Sequence, residues 1–110
     1  MNSVILTGNL TKDVELKYTV SDNPTAVCKF QIAVNEGYGD NQRVDYPSIV
    51  VFGKQAENCE RFLHKGSKVA VSGRIQTGSY ENREGKKVYT TEVIAEKVEF
   101  LGSKQDNRLP

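Results

Sequence analysis

The chain contains no tryptophan, one histidine and two cysteines. Acid–base and metal chemistry need several titratable or ligating groups converging on one point, and such scarcity does not supply them. His64, beside Lys65 and Gly66 at the end of a helical stretch, reads as an exposed residue favoured by the helix dipole. Cys28 and Cys59 have no partner at metal-ligand spacing and read as two buried, inert thiols. "GNLTKD" is not a phosphate loop, because its second glycine and the Gly-Lys-Ser/Thr ending are missing. The expectation is therefore a protein with no catalytic residues, no metal and no cofactor.

Long apolar runs are also missing. No stretch approaches the roughly 20 residues of a membrane-spanning helix, and "SVILTGNL" has neither a basic flank nor a long hydrophobic segment, so the expected location is the cytoplasm. Charge of one sign is absent too: 15 Lys and Arg stand against 14 Asp and Glu, a formal net charge of +1. Bulk electrostatics thus gives no sign of a nucleic-acid protein, and any such role has to come from arrangement.

What is present is enough for one folded domain: 110 residues, 37% hydrophobic and 26% charged. "SVILTGNL" and "DVELKY" have strand-like apolar residues and read as two strands, or one broken by a bulge. "TAVCKFQIAVN" places Ala26, Cys28, Phe30, Ile32 and Val34 on one face at period two, hence a half-buried strand. "EGYGDNQR" is a loop, and "VDYPSIVVFG" resumes strand character, with Pro47 marking an edge, a bulge or a strand start. In "KQAENCERFLHKG", Ala56, Cys59, Phe62 and Leu63 recur at helical spacing before Gly66. "SKVAVSGRIQ" alternates again, and a charged hairpin centred on Asn82 to Gly85 leads into "KVYTTEVIAEKVEFL".

Five main strands with one short helix between the third and fourth is the element order of the OB-fold, an all-β, five-stranded Greek-key barrel that binds oligonucleotides or oligosaccharides. Phe30 and Phe62 are assigned to the core. Tyr38 lies in a loop, Tyr46 and Phe52 share a parity, and Tyr80 stands on the hairpin arm among charges. Exposed rings interleaved with Lys29, Arg43, Lys54 and Arg74 make a surface on which bases stack while cations follow the phosphates.

"NSVILTGNLTKDVELKY", "VVFGKQAE", "FLHKGSKVAVSGRI" and "GKKVYTTEV" resemble, in order and spacing, the matching blocks of the bacterial-type single-stranded DNA-binding protein family. The resemblance covers about Asn2 to Leu101. It implies a homotetrameric, non-enzymatic OB-fold that coats single-stranded DNA in replication, recombination and repair, associated with the nucleoid. It implies base stacking by Tyr38, Tyr46, Phe52 and Tyr80, and phosphate contact at Lys54; Lys29, Arg43, Arg74, Lys86 and Lys87 complete the expected cationic set. Three of the stacking positions are often tryptophan in the family, so less stacking area per base is expected here. Family members typically end in an acidic tip that recruits partner proteins, whereas "GSKQDNRLP" holds only Asp106, so recruitment by that route is not expected. The expected division is an OB-fold domain over residues 1–102 and a short disordered remnant over 103–110. The alternative within this fold is a replication-restart adaptor acting mainly through protein partners.

Overall fold

A computed structural model describes residues 1–101. The expected remnant over 103–110 lies outside the described residues. The elements run β1 (Val4–Leu10), β2 (Glu15–Tyr18), β3 (Ala26–Glu36), a 3-10 turn (Gly39–Asn41), β4 (Arg43–Asp45), β5 (Ser48–Phe52), α1 (Lys54–Phe62), β6 (Lys68–Glu81) and β7 (Lys87–Phe100).

The strands close into a barrel. Their order is β1-β6-β7-β5-β3, and β1 returns to β3 through the pairs Asn9↔Ala33 and Leu10↔Ile32. A parallel contact, β5 on β7 at Ile49↔Val93 and Val50↔Ile94, completes the OB-type circuit. The five strands expected from the sequence are recovered once β1 with β2, and β4 with β5, are each read as one interrupted strand. The first interruption turns the chain, so that β1 pairs β6 while β2 pairs β3. The second falls at Pro47, which has no N–H for a ladder.

The period-two pattern of β3 buries Ala26, Cys28, Phe30 and Ile32, and leaves Lys29 in solvent. These inward residues meet Ile49 and Val51 of β5, Val69 and Val71 of β6, and Val93 and Ala95 of β7 in one core. Closure depends on close backbone approach. A Cβ on Gly8 would run into the carbonyl of Ala33 where β1 meets β3, and one on Gly73 would run into the carbonyl of Ile94. Gly73 adjoins the register shift in β6–β7, where Ser72 pairs Lys97 and Gly73 pairs Ala95. Gln55 of α1 ties down that irregularity: its side chain donates to the Glu96 carbonyl at 3.3 Å and accepts from Val98 N–H at 2.7 Å.

Helix α1 buries Ala56 and Cys59, and Leu63 follows on the same stripe at its C-cap. The assignment of Phe62 to the core is corrected here. Successive helical residues are about 100° apart, so Phe62 leaves the stripe when Leu63 occupies it, and it is 57% exposed. Its ring lies 6.2 Å from that of Phe100, and the Arg61 guanidinium sits 5.4 Å from its centroid. His64 is exposed, as expected.

Candidate functional site

Side chains of directly paired strand residues point to the same side of a sheet, so the ladders fix which residues share a face. Across β2, β3 and β5, the pairs Lys17↔Val27, Val27↔Phe52, Glu15↔Lys29 and Lys29↔Val50 lie on the outside of the barrel. The parallel pair Val50↔Ile94 carries this face to β7, and Arg74↔Ile94 carries it to β6. Period two then adds Gln76, Tyr80, Val88 and Glu92. The outer face therefore brings together four of the predicted residues: Lys29, Phe52, Arg74 and Tyr80.

Their exposure has local causes. In β5 the residues Ile49, Val50 and Val51 are buried and Phe52 is 47% exposed, because the strand ends there and Gly53, at φ 75°, turns the chain into α1. Lys54, the residue after Gly53, is exposed and opens α1 two positions beyond Phe52. Tyr80 is exposed because β6 and β7 continue beyond the barrel as a two-stranded arm; residues 76–81 alone extend it by roughly 20 Å. The arm ends in a turn organised by Asn82, whose Oδ1 accepts the N–H groups of Glu84 and Lys86, both at 2.9 Å. Gly85 completes the turn at φ 81°.

Other predicted residues stand elsewhere. Tyr38 and Arg43 belong to the excursion between β3 and β5, where Tyr38 is exposed and Arg43 pairs with Asp45 at 3.4 Å. Tyr46 lines the mouth of an open apolar cavity of about 470 Å3, together with Val4, Leu6, Val34, Ile75 and Val93. That cavity lies at the Val4 end of β1; the opposite end, at Leu10, is hydrogen-bonded to Gly66 and Ser67 just after α1. Lys86 is at the tip of the arm. Lys87 pairs with Glu81, so it points away from Tyr80 and sits 5.8 Å from the ring of Tyr89.

Sequence reasoning gave no role to three residues that the geometry brings forward. Tyr89 is 74% exposed on the reverse of the arm. Tyr18 is exposed and donates its hydroxyl to Glu57 at 2.9 Å, a bond that, with the neighbouring carboxylates, raises its phenol above the ordinary value. Glu92 stands on the outer face with its carboxylate 3.6 Å from Lys29 Nζ. The alternation in "VYTTEV" was visible, but its phase relative to β3 required the β5–β7 pairing.

Phe52 and Tyr80 lie exposed on an open face and not in an enclosed pocket. Among the described residues, no group of three or more His, Cys, Asp and Glu is placed to hold a metal ion. No helix among the described residues is long and apolar enough to cross a membrane.

The chain is similar to known proteins over most of its length. The chain is 49% identical over 109 residues to the single-stranded DNA-binding protein 3 of Listeria innocua, covering 96% of this chain and 67% of that protein. It is 49% identical over 104 residues to the single-stranded DNA-binding protein of Bacillus cereus, covering 92% of this chain. It spans 60% of the length of that relative. The single-stranded DNA-binding protein 2 of Clostridium acetobutylicum is 46% identical over 111 residues, covering 99% of this chain and 83% of that protein. With the description "Single-strand binding protein family" matched over residues 1–101, the chain belongs to the single-strand binding protein family.

Proposed function

We propose that this protein binds and protects single-stranded DNA, with little sequence preference, during replication, recombination and repair, and that it does so without catalysis. The observation that carries this reading is the meeting of Lys29, Phe52, Arg74 and Tyr80 on one outer face. Aromatic rings accept any base by stacking, at about 1–3 kcal/mol per base, and cations follow the backbone. Phe52 and Tyr80 are the stacking platforms of this face; Tyr38 and Tyr46 extend it over the β3–β5 excursion. Lys29, Lys54 and Arg74 serve the phosphates on the barrel. Arg43, Lys86 and Lys87 steer the strand from the periphery.

The protein acts as a homo-oligomer, in this reading a tetramer in the cytoplasm. Among the described residues, Val4–Gly8 pair only with β6, which leaves the other edge of β1 open to a strand from a second copy.

The test is a titration of labelled oligo-thymidine followed by anisotropy at two salt concentrations, with duplex DNA as competitor. Binding that duplex does not displace, and that falls steeply with salt, supports the proposal. Binding that is flat in salt, or equal for duplex, contradicts it.

A further inference from the structure

We propose that Glu92 is a built-in competitor for the phosphates of the bound strand: by pairing with Lys29 in the middle of the outer face, it lowers both affinity and salt sensitivity. The inference rests on the strand-binding reading above.

The pair joins strands that are not neighbours. Lys29 is on β3 and Glu92 on β7, with β5 between them, so their bond, 3.6 Å long, crosses over the face at the level of Val50 and Ser48. Glu92 also borders two depressions. One is the apolar cavity lined by Tyr46; the other is a cleft of about 200 Å3 where Lys12, Lys29 and Gln31 meet the carboxylates of Asp13 and Glu15. A strand passing from Phe52 towards Tyr46 therefore meets the Glu92 carboxylate on the ridge between them.

The side chain of Glu92 is 29% exposed and that of Lys29 is 61% exposed, so the acid is the more firmly held of the two and the lysine is the partner free to swing. A phosphate that recruits Lys29 must take it from Glu92, leaving a carboxylate that needs a counterion or repels the strand. The net number of ions released is then smaller than the count of cations on the face implies. Glu15 lies directly across β2–β3 from Lys29, yet the ion pair is made with Glu92.

The experiment is an anisotropy titration of oligo-thymidine over a series of salt concentrations with the full chain, Glu92→Gln, Lys29→Gln and the double variant. Thermal melts confirm that each folds. Glu92→Gln is expected to bind roughly two- to five-fold more tightly at low salt, and its plot of log affinity against log salt is expected to steepen by about 0.7, the value for one further phosphate contact on a single strand. Lys29→Gln is expected to cost little with Glu92 present and more once Glu92 is Gln. Unchanged or weaker binding by folded Glu92→Gln, or strictly additive effects of the two substitutions, overturns the proposal while leaving strand binding intact. Failure of the unaltered protein to bind at all overturns the reading on which it stands.

Discussion

Tyr80 faces Val88, and Ser79 faces Tyr89, across the β6–β7 ladder, so the two exposed tyrosines of the arm stand on opposite faces. Tyr80 shares its face with Arg74 and, across β7 and β5, with Lys29 and Phe52. The arm therefore discriminates between two rings of the same chemistry. Tyr80→Ala is expected to weaken oligo-thymidine binding by about 5- to 150-fold, the equivalent of 1–3 kcal/mol per stacked base. Tyr89→Ala is expected to change it less than about two-fold. Parallel titrations of the two variants measure the difference.

Phe30 and Phe62 form a second pair of like residues with different fates. Phe30 is buried in β3, and its truncation to alanine should cost about 3–5 kcal/mol of unfolding free energy. Phe62 is exposed and packs only on one face, against Phe100 and under Arg61, so Phe62→Ala should cost about 1 kcal/mol or less. Urea unfolding of both variants checks the ranking.

Much of the barrel was legible in the sequence because half-buried strands alternate. Ala26, Cys28, Phe30 and Ile32 announced their face, and Asn82 to Gly85 announced the turn of the arm. Phe62 was misread because helical spacing alone does not say which of two adjacent apolar residues takes the inward position. The composition of the site was legible residue by residue, as aromatic and cationic candidates, but its layout was not. Whether Lys87 joins Tyr80 depends on the turn that pairs Glu81 with Lys87, and whether Glu92 reaches Lys29 depends on the parallel β5–β7 contact. Both are long-range register facts that no local pattern encodes.

Gly73 supplies a test of barrel closure. A Cβ there meets the backbone carbonyl of Ile94, which cannot move without disturbing the β6–β7 ladder. Gly73→Ala is expected to lower stability by about 1–3 kcal/mol or more. Gly85→Ala meets no neighbouring atom and is strained only by its φ of 81°, so it should cost less, about 1 kcal/mol. Thermal melting of the two variants distinguishes steric from conformational strain.

The thiols give a dependence on pH. Cys28 and Cys59 are free and fully buried in the core. The hydrogen bond to Cys59, reinforced by burial, pushes the Cys28 thiol well above its ordinary value. A group whose folded pKa is raised contributes stability below its unfolded pKa and loses it as pH rises through the folded value. With an unfolded thiol near pH 8.5, unfolding free energy should be flat with respect to this group at neutral pH and decline above about pH 9. In the same way, thiol reagents at pH 8 should label neither cysteine until denaturant is added. Stoichiometric labelling of the folded protein would contradict the packing.

The central prediction is that the bound strand lies over Phe52 and Tyr80. The most direct measurement is photocrosslinking of the protein to an oligonucleotide that carries a photoreactive pyrimidine, with the adducted residues identified by mass spectrometry. Adducts at Phe52 and Tyr80, lost when unlabelled single strand is added in excess, are the result the outer-face geometry predicts. Adducts confined to Tyr89 or Tyr18, with Phe52 and Tyr80 unmodified, would place the strand elsewhere on the barrel and contradict it.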